Sequence, residues 1–306
     1  MPRTRQAEEP GLEGSARGFL FGLGAYALWG ILPLYFKAVA SVAAVDIVAH
    51  RVIWSLPFLR LLLVFNGGGE KVRAAFLNRK TLGVLALTAL LIGINWLLYV
   101  YAVTSRHILA ASFGYYLNPL ANVLLGRFVL KERLTRLQWA AVAIAAAGIS
   151  VLAAGALGQL WISLTLCVTF ALYGLLRKVV PVDALTGLTV ETWLLFPLAI
   201  SWLAWRAMAG VPVMGPTGAD TVLLLLAGVV STTPLLLFTA AARLLRYSTL
   251  GMLQFIAPTL QFLIAVLIYG EPFTRAHAIA FSAIWIALGL YVTALIRAPR
   301  LPQAPE

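Results

Sequence analysis

Apolar residues run along this chain in ten blocks, each close to twenty residues long and separated by short polar connections. The blocks fall at roughly 18–38, 43–65, 81–103, 107–129, 137–155, 159–177, 184–206, 220–242, 248–270 and 276–296. A bilayer core of about 30 Å takes about 20 residues of helix to cross. The pattern therefore predicts an all-α membrane protein of ten transmembrane helices, with no soluble domain between them. Residues 1–16 mix Arg and Glu with Pro and Gly and are expected to form a disordered tail; residues 298–306 form a second tail. The first block is too long for a signal-peptide core and is expected to persist as a helix.

The polar positions repeat. Ser112, Tyr115, Pro119 and Asn122 in block four are followed by Glu132-Arg133-Leu134-Thr135-Arg136; Gly251, Gln254, Pro258 and Gln261 in block nine are followed by Glu271-Pro272-Phe273-Thr274-Arg275. One offset, 139, aligns both stretches and also pairs Trp54 with Trp193. This predicts two five-helix repeats, 17–155 and 156–297. Five is odd, so the second repeat enters the membrane inverted. Glu132 and Glu271 then cap blocks four and nine on opposite sides. Inverted repeats recur in transporters, where one pattern builds a gate on each side.

Charge sets the orientation. Charged residues are only 11% of the chain, apolar residues 61%, and the mean hydropathy is +0.92, against about a quarter charged in soluble domains. With the N-terminus inside, sixteen Lys and Arg fall in the tails and loops of that side, Arg177 and Lys178 among them. Four face outward: Lys37, Arg106, Arg206 and Arg275. The bias predicts both termini cytoplasmic. The net charge of +12 is thereby explained by topology rather than by nucleic acid. The partners expected are membrane lipid and a small-molecule substrate, and monomer and homodimer both remain open. The single cysteine, Cys167, forms no internal disulfide, and His50, His107 and His277 show no metal spacing. No metal or cofactor is expected. Asn66-Gly67-Gly68-Gly69-Glu70 lacks the Gly-Lys-Ser/Thr of a phosphate loop and reads as a flexible linker.

Prolines inside helices free the carbonyl four residues earlier. Pro33 frees Trp29, Pro119 frees Tyr115, Pro234 frees Val230 and Pro258 frees Gln254. Such carbonyls must meet protein, water or ligand, so these four prolines are candidate bends facing the bundle interior. Positions 112, 115, 119 and 122 share one helix face, as do 251, 254, 258 and 261. The candidate cavity residues are Trp29, Tyr35, Asn95, Trp96, Tyr99, Ser112, Tyr115, Asn118, Tyr173, Thr232, Thr233, Gln254 and Gln261. Polar packing between helices is the competing account for any one of them. Ionisable residues within spans are costly and point to function. Asp46, His50, Arg51 and Glu191 are candidates for a gate or proton relay, with Arg51 and Glu191 each about 10 Å deep from opposite sides and able to pair across the bundle.

Several segments together resemble the RarD branch of the drug/metabolite transporter superfamily: Ala27-Leu-Trp-Gly-Ile-Leu-Pro-Leu-Tyr-Phe-Lys37, His50-Arg-Val-Ile-Trp-Ser55, Gly114-Tyr-Tyr-Leu-Asn-Pro-Leu120, Tyr173-Gly-Leu-Leu-Arg-Lys178, Thr186-Gly-Leu-Thr-Val-Glu191 and Ser248-Thr-Leu-Gly251. The resemblance covers residues 17 to 297. It implies a bacterial inner-membrane permease with two EamA-type repeats and a central cavity worked by alternating access. It also implies outward movement of a small metabolite or drug and a link to chloramphenicol sensitivity. Four-helix drug exporters of the superfamily exchange protons on a glutamate in their first helix. Here blocks one and six carry no mid-span Asp or Glu, so proton coupling would need Asp46, His50 or Glu191. An amino-acid or metabolite exchanger or uptake facilitator, a channel, and a membrane-embedded enzyme acting on lipid-linked substrate are the competing readings. The enzyme would require a nucleophile–base or metal cluster.

Overall fold

The computed structural model describes residues 12–104, 107–153, 158, 160–270 and 274–297. These residues form helices throughout and no strand: α1 (Leu12–Ala38), α2 (Ala44–Asn66), α3 (Gly69–Leu77), α4 (Arg79–Thr104), α5 (Ile108–Phe128), α6 (Arg136–Ala153), α7 (Leu160–Val179), α8 (Ala184–Met208), α9 (Gly218–Leu244), α10 (Tyr247–Leu253), α11 (Ile256–Leu267) and α12 (Arg275–Arg297). Among them, eight segments are long and apolar enough to cross a bilayer, the pair α10–α11 counting as one, and α6 contributes a shorter apolar stretch, Arg136–Val151.

Two departures from the apolar pattern have local causes. The glycine-rich stretch expected as a flexible linker is instead a helix stop and a helix start. Gly67 adopts φ 61°, and the N–H groups of Gly67 and Gly68 both reach the Leu63 carbonyl, a left-handed cap that glycine forms without strain. The short helix α3 then begins at Gly69. Block nine is broken in two. Pro258 cannot donate to Gln254, and the chain leaves the helix at Gln254–Phe255, where the Gln254 carbonyl accepts from Ala257 N–H instead. Pro33, Pro119 and Pro234 lie within continuous helices.

α9 packs on α1 and α2, α4 on α7 and α8, α5 on α7 and α10, α1 on α11, α2 on α8, and α6 on α12. A cluster of rings from α1, α7 and α9 fills the middle: Trp29, Tyr26, Phe170, Tyr173 and Phe238, with Tyr173 stacked on Phe238 at 6.4 Å between centroids and tilted against Phe170 at 6.2 Å. The outer surface is apolar, with Leu20, Val64 and Leu198 each about two-thirds exposed or more, as a lipid-facing surface requires.

Candidate functional site

Between α2, α4, α8 and α9 lies a cavity of about 20 Å³ lined by Arg51, Ser55, Trp96, Glu191, Thr192, Thr232 and neighbouring apolar side chains. That is room for about one water. Gly228 makes the close contact of α2 with α9: a β-carbon there would stand 2.2 Å from the Trp54 carbonyl carbon. The approach lets Thr232 Oγ1 donate to Ser55 Oγ at 2.6 Å, while Ser55 donates to the Arg51 carbonyl in its own helix. The Arg51 guanidinium lies over the Trp96 ring, 4.5 Å from its centroid. The Arg51 side chain has no hydrogen bond or ion pair to any described residue, and its Nε is buried.

Glu191, which the sequence leaves able to pair with Arg51 across the bundle, pairs with Arg177. Arg177 Nε lies 3.5 Å from Glu191 Oε1, both side chains almost wholly enclosed. Thr88 Oγ1 donates to Oε1 at 2.5 Å and Tyr173 OH to Oε2 at 3.3 Å. Arg177 Nη2 also donates to the Ala184 carbonyl at 3.0 Å. Gly187 makes space for this: a β-carbon would sit 1.7 Å from Arg177 Nη1. Arg177 lies in the last turn of its block, where the sequence alone places it among the cytoplasmic loop charges. The signal that could have found it is its i, i+4 spacing from Tyr173, which puts both on one helix face.

The other ionisable candidates are tied up away from this cavity. Asp46 accepts from Arg206 Nη2 at 2.7 Å and Trp202 Nε1 at 2.9 Å. His50 Nε2 bonds the Val213 carbonyl at 2.7 Å, and its Nδ1 accepts from Trp54 Nε1 at 3.1 Å. A carbonyl only accepts, so Nε2 carries the hydrogen in this network.

The polar stripes meet directly. Asn122 Nδ2 donates to Gln254 Oε1 at 2.9 Å where α5 crosses α10, and a β-carbon at Gly251 would stand 2.8 Å from the Pro119 carbonyl oxygen. Gln254 is thus placed at a helix crossing rather than on the Arg51 cavity. Gln261 Nε2 donates at 3.0 Å to the Trp29 carbonyl, the one Pro33 frees. Asn95 bonds the Leu166 carbonyl, Thr169 and Tyr115, and Tyr115 meets Tyr99 edge-on at 5.7 Å. Tyr35 OH donates to the Leu223 carbonyl, and Thr233 only to Val229 of its own helix. Both amide atoms of Asn118 are buried without a partner. The Ser112 side chain and Glu271 lie outside the described residues.

At the basic end of the bundle, Glu132 accepts from Tyr247 N–H at 2.5 Å, Ser248 N–H at 3.0 Å and Ser248 Oγ. Its side chain therefore caps the start of α10, while its N–H donates to the Gly126 carbonyl at 2.9 Å in the block that precedes it. Lys178 donates to the Ala242 and Leu245 carbonyls at the end of α9, and Arg243 to the Val180 and Val182 carbonyls that follow α7. A cleft of about 600 Å³ opens at this end between α1, α2, α8 and α9. On α2, buried Leu59 lies between the residues of the cavity and those of the cleft, and it packs in one cluster with Leu188 and Leu235. Among the described residues, no group of three or more His, Cys, Asp or Glu could hold a metal.

Comparison with known proteins agrees with this architecture. Residues 16–154 match the model of the EamA-like transporter family. An uncharacterized transporter of Pseudomonas aeruginosa is 46% identical over 94% of this chain and 97% of its own. The protein RarD of Escherichia coli is 43% identical over 90% and 94%. A chloramphenicol-sensitive protein RarD of Pseudomonas aeruginosa is 34% identical over 90% and 93%. A solved crystal structure, 20% identical, superposes with a TM-score of 0.71 over 92% of this chain and 99% of its own, which speaks to the fold alone.

Proposed function

This chain belongs to the EamA-like transporter family, in its RarD branch, and on that premise we propose an alternating-access permease of ten spans in two inverted repeats. Both termini face the cytoplasm of a bacterial cell, the protein sits in the inner membrane, and it moves a small metabolite or drug-like molecule outward. The name of one relative supports chloramphenicol as a member of the cargo class to be tested.

The packing supports the inverted arrangement. Exchange α1 with α7, α2 with α8, α4 with α9, α5 with α10–α11, and α6 with α12. The α1–α9 contact becomes α7–α4, α5–α7 becomes α11–α1, and α2–α9 becomes α8–α4; each of these occurs. The α2–α8, α5–α10 and α6–α12 contacts map onto themselves. Ten spans follow if α5 and α6 cross with the eight longer segments.

One observation carries the function. The cavity is lined by residues that the repeat itself relates: Val52 and Glu191, Ile92 and Ser231, Trp96 and Leu235 are three pairs, each 139 apart. A cavity on the symmetry axis is where alternating access places its substrate. The Leu59 cluster separates it from the basic-end cleft, and the bonds of Ser41 to Asp220, Tyr35 to Leu223 and Asp46 to Arg206 tie the other end.

Because Cys167 is the only cysteine, a Cys167→Ser background with Ile92→Cys tests the reading. The new thiol is expected to react with a membrane-impermeant maleimide in both right-side-out and inside-out vesicles, without a steady ionic conductance. Labelling from one face only would sink alternating access. A steady conductance would favour a channel.

A further inference from the structure

The cavity holds more positive charge than it can use. Arg51 and Arg177 bring two guanidinium groups to its neighbourhood, and Glu191 is the one carboxylate on its walls. That carboxylate is taken by Arg177, Thr88 and Tyr173. The next carboxylate along α2, Asp46, is held by Arg206 and Trp202, and His50 by Val213 and Trp54. What faces Arg51 is aromatic: Trp96 beneath it, and Tyr115, Tyr35 and Tyr99 within electrostatic reach. Its Nε is buried without a partner, and a charged group held away from water with no counter-charge is costly. The tyrosines and the indole offset only part of that.

The geometry points to Arg51 as an anion anchor: we infer that the transported molecule carries a carboxylate, or an equivalent single oxyanion, on a flat apolar or aromatic body. The oxyanion docks on the free fork of Arg51, whose two parallel N–H groups match a carboxylate. The body lies against Trp96, where ring contacts add affinity without further charge. Ser231 and Thr232 also line the cavity. One such molecule would bring the two arginines and Glu191 to neutrality. The inference rests on the permease reading, because the closed cavity admits about one water and must widen for any cargo. Parting of Leu59 from Leu188 and Leu235 would join it to the 600 Å³ cleft, a size that suits small-molecule sites.

Three probes with one skeleton test it on the full-length protein in detergent: phenylacetate, phenylacetamide and 2-phenylethylamine, which are anionic, neutral and cationic. Thermal unfolding and tryptophan fluorescence report binding, and counterflow in liposomes reports exchange. Phenylacetate is expected to bind saturably, at least about tenfold tighter than the other two, in line with a hydrogen bond to a charged group. Arg51→Gln should erase that preference. Arg51→Lys keeps the charge but loses the fork, and should weaken phenylacetate several-fold while still favouring it, which covers the case in which Arg51→Gln does not fold. Equal binding of acid and amide, an acid preference that survives Arg51→Gln, or an unchanged affinity in Arg51→Lys overturns the anchor. If the amide or chloramphenicol still exchanges in liposomes, the permease reading stands and the anion reading falls. If no probe binds or exchanges, both fall.

Discussion

Two arginines sit inside this bundle in opposite circumstances. Arg177 is enclosed: a carboxylate at 3.5 Å, a backbone carbonyl at 3.0 Å, and a glycine cleared to make room for its guanidinium. Arg51 has an indole beneath it and three tyrosines within electrostatic reach, and its buried Nε has no hydrogen-bond partner. The first is what a membrane bundle does with a charge it keeps for its own architecture. The second is a charge the fold has placed but not neutralised. The contrast teaches that burial of an ionisable group inside a span does not by itself mark a binding site. What marks it is whether the neighbours have already answered the charge.

The comparison breaks most visibly at Glu191. Glu191→Ala leaves Arg177 enclosed and unpaired, and is expected to cost about 3–5 kcal/mol, read as a lowered unfolding midpoint in detergent. Replacing both partners together, Arg177→Met with Glu191→Leu, should recover most of that loss, since a buried pair contributes little net stability over apolar packing. If the single variant unfolds no earlier than the parent, the pair does not join α7 to α8. Gly187→Ala attacks the same site without touching a charge. Its β-carbon displaces a guanidinium rather than a flexible methyl, so about 1–3 kcal/mol is expected from the same unfolding measurement. Asp46→Asn addresses a second charge pair, where α2 begins and α8 ends. Arg206 there is a quarter exposed, so water can take over the freed guanidinium. A loss of about 1 kcal/mol or less is expected; a loss equal to that at Glu191 would erase the distinction between enclosed and solvated pairs.

Most of the helical framework was legible because twenty-residue apolar blocks leave the backbone few alternatives. The break of block nine followed from Pro258, which removes a donor at a fixed distance. The meeting of Asn122 with Gln254 was half legible: repeat spacing put each on a stripe, but only the crossing of α5 and α10 shows that they spend their amides on each other. Arg177 was hidden because a charge in the last turn of an apolar block looks like a loop charge until the neighbouring helix is in place. Its pairing with Glu191 was hidden for the same reason. Depth along a helix can be counted from the sequence, whereas rotation about the axis depends on every helix it packs against. Glu132 illustrates this too, since the N–H groups it accepts from lie more than a hundred residues away.

The smallest stability effect is expected where the largest functional one is. Arg51→Gln removes a contact with Trp96 that is worth about 0.5–2 kcal/mol. It also removes a guanidinium whose desolvation the protein repays only in part, and the amide can still turn toward the water that the cavity admits. The two contributions oppose each other, so the unfolding midpoint should move by no more than the equivalent of about 1 kcal/mol in either direction, while binding of an anionic probe is lost. A midpoint that falls as far as in Glu191→Ala would place Arg51 with Arg177 among the charges the fold needs. An unchanged midpoint would separate them, because only a group left for a ligand can be removed at so little cost to the structure that holds it.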